Sequence, residues 1–367
     1  MCIGENTVLN RFQFINTALG VHKELIDIIE RYNEPHRYYH NIEHLTELLG
    51  KIEQGDYKPG NKITLALIAI FHDAIYDPRK QDNEERSAAL AEVVLSKLFE
   101  KELVSDVVQA ILDTKNHHLA KSEVSKQFCA LDLAALLEGD FTRLVKDEKK
   151  LFKEFQFRDV AAYKQGREKF LTAFVEQWKG ADDVFCRKMQ HYIEYIKAWV
   201  PKIGIYAGSF NPFHIGHLDI LEKAEQVFDK VVVARGINTQ KMPVLVGKFI
   251  KPFKDIEAPE IKATGLDKIL PTYETIFFTT LLTDVVEHYR SMGEVTVVRG
   301  LRNGFDLQAE SNLVAIIQDI DPKCNVIYIP CDNNLAHVSS SAIRELASFD
   351  ANNTRYLVNK FAYLERE

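Results

Sequence analysis

The chain has 367 residues, roughly two to three times the length of an ordinary domain, so two domains are the default expectation. It carries 46 Lys and Arg against 53 Asp and Glu, and this net charge of −7 argues against a nucleic-acid-binding protein and favours small-molecule chemistry. The five cysteines are scattered and no apolar run approaches the ~20 residues of a membrane span, so we expect a soluble cytoplasmic protein without disulfides or a membrane partner.

Apolar residues recur every three or four positions from residue 6 to about residue 198, as in Leu65, Ile68 and Ala69. This spacing predicts helices almost throughout and no strand. A last apolar helix face is brought to an end by Pro201. The pattern therefore predicts an all-α domain over residues 1–185, a connecting helix over 186–201 and a second domain over 202–367.

Imidazoles and carboxylates recur along the helical half. His40 and His44 lie four residues apart, so they share one face of any helix that contains both. His72 and Asp73 end a very apolar helix, where a charged pair is costly unless it is paired or binds a metal. Asp132 stands isolated in another apolar run. Such donors suit Mn²⁺, Fe²⁺, Mg²⁺ or Zn²⁺, although a purely structural cluster is the alternative.

The order H…HD…D on helices resembles the HD superfamily of metal-dependent phosphohydrolases, as do the elements R-x-Y-H-x-x-x-H and F-H-D-x-x-Y-D…D-N-E-x-x-S-A. The resemblance covers about residues 8–185 and implies hydrolysis of a phosphate ester or nucleotide at a divalent metal ion. It implies the metal ligands His44, His72, Asp73 and Asp132, with His40 and His117 as nearby phosphate-binding or further metal groups, and Glu84 or Glu85 as the catalytic acid–base group.

From Lys202 onward the pattern changes to short β-branched runs separated by helical segments. This alternation predicts an α/β domain with a parallel sheet and helices on its faces. The segment Val244–Leu270 fits neither pattern and is interpreted as a long loop or a lid. The predicted strands are Ile203–Ala207, Val231–Ala234, Thr275–Phe278, Val295–Val298 and Val326–Ile329.

The stretch GSFNPFHIGH, Gly208–His217, joins the first of these strands to a helix that begins near Gly216. A strand, a turn and a helix start bring backbone N–H groups and the positive helix end together, which suits a nucleotide phosphate. His214 and His217 stand where an imidazole can stabilise the charge on a departing pyrophosphate. Ordinary packing explains the same spacing, and a zinc site is disfavoured because no further ligand lies nearby.

This stretch resembles the H-x-G-H motif of the nucleotidyltransferase superfamily, and Ser339–Arg344, SSSAIR, resembles its second motif. Within the superfamily, Val298–Asp306, VRGLRNGFD, followed by Glu310 is similar to phosphopantetheine adenylyltransferase. The resemblance covers about residues 202–348 and implies a Rossmann-like domain. It also implies transfer of AMP from ATP to 4′-phosphopantetheine, which gives dephospho-CoA and pyrophosphate in coenzyme A biosynthesis.

The same resemblance implies a role for each matched residue, Mg²⁺ bound with ATP, and assembly into a homo-oligomer. His217 is implied to contact the reacting phosphates, and Lys241, Arg299 and Ser209 are implied to contact the acceptor phosphate. Arg302, Ser339, Ser340 and Ser341 are implied to contact the ATP phosphates, and Glu310 the ribose. Gly208, Phe210 and His214 are implied to complete the substrate site.

The sequence departs from this family after Pro243, where a Phe-x-x-x-Glu-Arg pattern is replaced by VLVGKFIKPFK. A different acceptor, of the nicotinamide mononucleotide or cytidylyl type, therefore stays open. A regulatory protein that binds a nucleotide without turnover is a further alternative. An aminoacyl-tRNA synthetase, which a bare HIGH also suggests, is disfavoured because no Lys-Met-Ser-Lys-Ser element is present.

Overall fold

The computed structural model describes residues 8–19, 22–177, 183–237, 266–348 and 354–365. Lys241 and the larger part of the predicted loop or lid at Val244–Leu270 lie outside these residues. Within them, no helix combines the length and the apolar character needed to cross a membrane.

The chain divides into two compact units. The N-terminal unit comprises Met1–Glu154 and Phe170–Ile193, and the C-terminal unit comprises Phe155–Lys169 and Glu194–Glu367. The sequence placed a single boundary near residues 185–201 and did not anticipate that Phe155–Lys169 belongs with the C-terminal unit.

The first half of the chain is helical, and its described residues contain no strand before Lys202, as predicted. Short 3-10 helices occupy Val8–Arg11, Arg31–Asn33 and His117–Leu119. The α-helices are α1 (Gln13–Leu19), α2 (Lys23–Glu30), α3 (Ile42–Gln54), α4 (Pro59–Phe71), α5 (Asn83–Leu95), α6 (Lys101–Thr114), α7 (Glu123–Asp132), α8 (Ala134–Glu138), α9 (Phe141–Glu154), α10 (Val160–Gln177) and α11 (Asp183–Ala198).

Helix α4 lies at the centre of the N-terminal unit. Proline at its first position needs no hydrogen-bond acceptor for a backbone N–H, and every residue from 64 to 71 is buried. A helix that is apolar on all sides is stable only when it is surrounded, and α4 contacts α1, α2, α3, α5, α6 and α7. The residues that follow it, His72 and Asp73, consequently start from the interior of the unit.

All five predicted strands are confirmed, and with them the α/β class of the second half. The strands are β1 (Lys202–Gly208), β2 (Lys230–Gly236), β3 (Glu274–Phe278), β4 (Glu294–Leu301) and β5 (Asn325–Pro330). The helices between and after them are α12 (Ile215–Glu225), α13 (Leu266–Ile269), α14 (Leu282–Arg290), α15 (Gly304–Ile320) and α16 (Ser340–Ser348), with 3-10 turns at Asn333–Leu335, Thr354–Tyr356 and Ala362–Glu365.

The five strands form one parallel sheet in the order β3-β2-β1-β4-β5. The register places Ile205 of β1 between Val232 of β2 and Val297 of β4. The chain moves outward from β1 to β3 and then returns to the other side of β1 with β4. The crevice at the carboxyl ends of β1 and β4 is therefore the topological switch point, where open parallel sheets bind their ligands.

A buried polar network joins residues 155–158 to the sheet within the C-terminal unit. The Gln156 amide donates to Glu225 at 2.8 Å and accepts from the Val231 N–H at 3.2 Å. Lys230 is 1% exposed, and its ammonium lies 2.7 Å from the Glu274 carboxylate and donates to the Gln156 and Arg158 carbonyls. A buried ammonium needs such partners, so these contacts explain why this segment belongs with the sheet.

Candidate functional site

A cleft of about 320 Å³ lies at the carboxyl ends of β1 and β4. The walls of this cleft contain every site residue predicted for the second half of the chain except Lys241, which lies outside the described residues. These lining residues are Gly208, Ser209, Phe210, His214, His217, Arg299, Arg302, Glu310, Ser339, Ser340 and Ser341.

The loop after β1 folds back tightly on itself. A Cβ added at Gly208 would lie only 2.8 Å from the Phe210 ring, so glycine leaves room for that ring. Phe210 has a φ of 45°, a left-handed conformation that costs energy in a non-glycine residue and persists only where packing holds it. Its buried ring contacts His217 edge to face at 5.0 Å. The loop thereby sets the start of α12 against the cleft.

His214 and His217 hold each other in fixed orientations at the start of α12. The His214 Nδ1 accepts the Gly216 N–H at 3.2 Å, and the His217 Nδ1 accepts the His214 N–H at 3.3 Å. Because each Nδ1 is an acceptor, the proton of each neutral ring is on Nε2. Burial lowers the pKa of His214 to about 4, and burial together with the charge of Arg302 lowers the pKa of His217 far below its usual value. Both rings are therefore neutral hydrogen-bond donors near pH 7.

The lowered pKa of His214 predicts a dependence of stability on pH. As the pH falls, His214 binds a proton in the unfolded chain at a pKa near 6.5, before it does so in the folded chain. The stabilisation of the folded state by the neutral ring is therefore complete above about pH 6.5 and is lost as the pH falls towards 4. We expect His214→Asn, which keeps a capping side chain without a titratable ring, to reduce the loss of unfolding free energy between pH 7 and pH 4 by roughly 2–3 kcal/mol. Urea unfolding of both proteins at the two pH values measures this, and parallel losses would contradict it.

Two arginines of the cleft are each held by a carboxylate. Arg299 donates through Nε and Nη2 to Glu310 at 2.5 and 2.7 Å, and through Nη1 to the Ala207 carbonyl at 2.9 Å. Arg302 donates through Nε and Nη2 to Asp306 at 2.8 and 2.9 Å. Such two-point pairs fix the plane of a guanidinium group. Sequence reasoning assigned no role to Asp306, although its spacing of four from Arg302 on a helix start was a usable signal.

The second motif ties the start of α16 to the loop after β1. The Ser339 hydroxyl caps the helix by accepting the Ala342 N–H at 3.1 Å. The Ser340 hydroxyl donates to the Pro212 carbonyl at 2.9 Å, and Arg344 donates to the Asn211 carbonyl. Two helices, α12 and α16, therefore begin at one cleft, and both present backbone N–H groups and a positive dipole end to an anion.

Comparison with known proteins identifies the family. Residues 205–346 match the cytidylyltransferase-like family model. A phosphopantetheine adenylyltransferase of Lacticaseibacillus paracasei is 31% identical over 159 residues, which are 42% of this chain and 87% of that protein. The chain belongs to the phosphopantetheine adenylyltransferase family. Enzymes of that name from Chloroflexus aurantiacus (34% identical, 40% of this chain and 84% of the relative) and Porphyromonas gingivalis (31%, 43% and 95%) show similar coverage.

The matched residues lie within the C-terminal unit, hereafter the adenylyltransferase domain. The predicted membership of the N-terminal unit in the HD superfamily stays a prediction. Its candidate site is therefore described from its own geometry.

Three predicted metal ligands of the N-terminal unit lie together. His44 is in the first turn of α3, where Asn41 caps the helix, His72 follows α4, and Asp132 ends α7. One ligand atom from each of the three lies within 4.8 Å of the others. The Asp132 Oδ1 is 3.3 Å from the His44 Nε2 and 3.7 Å from the His72 Nε2. These three residues form the candidate metal centre.

The donor atoms of this centre fit a divalent ion. The His72 Nδ1 donates to the Ala69 carbonyl at 2.9 Å, which leaves Nε2 as the ligand atom. Burial opposes protonation, but the carboxylates of Asp73 and Asp132 raise the pKa of His72 to about 9, so a bound cation would replace the Nε2 proton. The Nε2 atoms of His44 and His72 are buried beside carboxylate oxygens, of Asp132 at 3.3 Å and of Asp73 at 3.0 Å, but in the described part of the chain neither forms a hydrogen bond of good geometry. A cation that accepted both lone pairs would satisfy these two atoms. Asp73 is outside the three-residue group, although its Oδ2 lies 3.0 Å from the His72 Nε2.

The predicted neighbours of the centre occupy different positions. His117 contacts it directly, with Nε2 2.8 Å from the Asp132 Oδ2. Glu84 is half-buried, and burial together with the charge of Asp73 raises its carboxyl pKa. Glu85 lies at the surface, where its hydrogen bond with Lys115 lowers its pKa. Of the two adjacent glutamates, Glu84 is thus the one whose charge interacts with Asp73, beside the centre.

Sequence reasoning missed Glu154, a completely buried carboxylate at the end of α9. Its Oε1 accepts the backbone N–H groups of Tyr38, Tyr39 and His40 at 2.7–2.9 Å. Its Oε2 lies 2.7 Å from both the His40 Nδ1 and the Tyr76 hydroxyl. Burial opposes ionisation, but the charge of His40 and these hydrogen bonds lower the pKa of Glu154. Glu154 therefore fixes the backbone before α3 and the orientation of the His40 ring.

We expect Glu154→Gln to lower the unfolding free energy by about 1–3 kcal/mol. The amide oxygen can still accept the backbone N–H groups, but the amide nitrogen cannot accept from His40 and the Tyr76 hydroxyl. Tyr76→Phe, which removes only one of these bonds, is the matched control with a smaller loss. Urea unfolding checks both values, and an unchanged stability in Glu154→Gln would show that the carboxylate is dispensable.

Proposed function

We propose that the adenylyltransferase domain transfers AMP from ATP to 4′-phosphopantetheine, giving dephospho-CoA and pyrophosphate. The observation that carries this proposal is the convergence of two helix starts, a neutral His217 and two arginines on one cleft at the switch point of the sheet. The relatives named phosphopantetheine adenylyltransferase support 4′-phosphopantetheine as the acceptor.

The reaction needs positioning and charge stabilisation more than proton transfer. The acceptor phosphate is ionised at neutral pH, so its oxygen attacks the α-phosphorus of ATP without a general base. A new P–O bond forms, the bond between the α-phosphorus and the bridging oxygen breaks, and pyrophosphate leaves with the bonding electrons. Charge grows on the leaving group, and donors aimed at it lower the barrier. We assign this contact to the Nε2–H of His217 and to the backbone N–H groups at the start of α12.

The remaining residues divide between the two substrates. Arg299, Ser209 and Lys241 would hold the acceptor phosphate, while Arg302 and Ser339–Ser341 would hold the phosphates of ATP. Glu310 would contact the ribose through lone pairs that its pairing with Arg299 leaves available. Mg²⁺ that accompanies ATP would shield the triphosphate charge. The expected homo-oligomer stays a prediction.

An acceptor panel tests the proposal. Pyrophosphate release by the full chain is measured with ATP and each of 4′-phosphopantetheine, nicotinamide mononucleotide and glycerol 3-phosphate, with CTP in place of ATP in a second series. Pantetheine without its phosphate is the matched control, because it lacks the nucleophile. We expect turnover only with ATP and 4′-phosphopantetheine. Preference for another pair would assign a different acceptor, and no turnover with any pair would favour a regulatory binding protein.

The candidate metal centre supports a second function, in the N-terminal unit. We propose that this unit binds a divalent ion, Mn²⁺, Fe²⁺, Mg²⁺ or Zn²⁺, through His44, His72 and Asp132, with Asp73 as a further ligand, and hydrolyses a phosphate ester. The bound ion would supply Lewis-acid stabilisation of the phosphate. His40 and His117 would contact the phosphate oxygens, and Glu84 would accept a proton from the attacking water.

Two measurements on the full chain test this second proposal. Calorimetric titration with Mn²⁺ is expected to show one site, and the Mn²⁺-loaded chain is expected to release phosphate from p-nitrophenyl phosphate. His217→Ala should leave both results unchanged, since that residue belongs to the other unit. Absence of a metal site would refute the proposal.

A further inference from the structure

A second cavity, of about 490 Å³, adjoins the candidate metal centre within the N-terminal unit. Residues 115–118 and Ala120, which follow α6, and residues of α7 and α10 line it. His117 belongs to its wall and also lies 2.8 Å from Asp132 of the centre. The cavity therefore begins at the edge of the centre, and its volume is in the range of sites for small organic molecules.

Part of the wall of this cavity is aromatic and apolar. The rings of Phe170 and Phe174 lie nearly parallel, with centroids 6.3 Å apart and planes 15° apart. Phe170 is 47% exposed, so part of its ring surface is open to the cavity. Ala130 and Leu133 add further apolar surface. Such a wall favours a flat or apolar group over a strongly hydrated one.

The charge of the wall favours an anion. None of the described residues that line the cavity is acidic, whereas Lys115 and Lys126 carry positive charges. Lys115 pairs with Glu85, which lies outside the lining, so part of its charge is neutralised. A cationic ligand has no counter-charge in this wall, while an anionic ligand with an apolar part finds both features that it needs.

We infer that this cavity receives the organic group of the phosphate ester on which the metal centre acts, and that this group presents an aromatic or apolar face to Phe170. The inference rests on the proposed hydrolase function of the N-terminal unit. The phosphate lies at the His117 edge, next to the centre, and the ester substituent extends along α10. Phosphate monoesters with an apolar or aromatic substituent are therefore the substrate class, and pyrophosphate and small polar phosphates are poor substrates.

The test compares 2-phenylethyl phosphate with ethyl phosphate in the Mn²⁺-loaded full chain. Both esters release an alcohol of similar acidity, so the phenyl group is the main difference between them. We expect kcat/KM to be about tenfold higher for the phenylethyl ester, the order of effect that burial of an aromatic ring gives. Phe170→Ala should reduce this ratio to about one, by lowering kcat/KM for the phenylethyl ester more than kcat/KM for ethyl phosphate. Leu119→Ala, at an apolar residue 59% exposed and outside the lining, should keep the ratio.

The outcomes separate the two ideas. If both esters are hydrolysed but the ratio is the same in wild type and Phe170→Ala, the inference about the cavity is wrong and the hydrolase function stands. If neither ester is hydrolysed by any metal-loaded form, the hydrolase function fails and the inference falls with it. Saturation-transfer NMR of 2-phenylethyl phosphate with the metal-free chain provides a readout independent of activity. Contact to the phenyl protons should be lost in Phe170→Ala and kept in Leu119→Ala, and the reverse would overturn the inference.

Discussion

Replacement of His217 by alanine is expected to lower kcat for adenylyl transfer by about 10²- to 10³-fold, with KM for ATP changed by only a few fold. The reason is that the Nδ1 of this ring accepts the His214 N–H, which places the proton of the ring on Nε2, where it can contact the departing pyrophosphate. The lowered pKa of His217 also keeps the ring neutral near pH 7, so it acts as a hydrogen-bond donor through Nε2–H and not as a cation. A donor of this kind acts on charge that develops only as pyrophosphate leaves, which is why kcat falls and KM does not.

Initial rates of pyrophosphate release over a range of ATP concentrations separate kcat from KM. His337→Ala, a histidine of the same domain that contacts Tyr356 and does not line the cleft, is the matched control. A rise in KM at unchanged kcat in His217→Ala would assign this ring to substrate binding alone and would contradict the proposed role.

Replacement of Asp132 by asparagine is expected to weaken Mn²⁺ binding by at least about 100-fold and to reduce phosphate-ester hydrolysis to background. This carboxylate is the common partner of three imidazoles, since it lies 3.3 Å from His44, 3.7 Å from His72 and 2.8 Å from His117. Asparagine keeps the shape of the side chain but removes its charge and one acceptor oxygen. The loss therefore reports on the centre more than on packing.

Calorimetry with Mn²⁺ measures the affinity of each variant. Asp106→Asn, at an exposed carboxylate on α6, is the matched control and should bind Mn²⁺ as the wild type does. Circular dichroism shows whether Asp132→Asn is folded, and adenylyl transfer by the same preparation shows whether the other domain is intact. If a folded Asp132→Asn bound Mn²⁺ with an affinity within twofold of the wild type, Asp132 would not be a metal ligand.

The features that sequence predicted correctly are those with a local pattern. Strands of a parallel sheet are covered on both faces, so they are near-continuous runs of apolar, β-branched residues. Each of the five strands has such a run, which made it predictable from the sequence. The loop Gly208–His217 and the start of α16 at Ser340 were found because turn residues and helix starts are encoded within a few positions. The closeness of His44, His72 and Asp132 was anticipated from the resemblance to the HD superfamily and from polar residues that stand in apolar runs, while their binding of a metal stays a prediction.

The features that sequence missed depend on contacts between distant residues. Glu154 meets His40 across 114 positions, and the stretch around Glu154 contains no motif that marks it. The pairing of Arg299 with Glu310 was not predicted, because the sequence assigns each of these residues a contact with a substrate and not with the other. Phe170 followed the apolar pattern of a helix, and only the fold shows that its ring faces a cavity. Tertiary contacts of this kind are not encoded in spacing.

The most direct test of the proposed adenylyl transfer is mass spectrometry of the products that the full chain forms from ATP and 4′-phosphopantetheine in the presence of Mg²⁺. We predict dephospho-CoA and pyrophosphate in equal amounts, formed by the wild type and by His337→Ala and reduced at least about 100-fold in His217→Ala. Absence of dephospho-CoA, with a nucleotidyl product formed instead from nicotinamide mononucleotide or with CTP, would contradict the proposal.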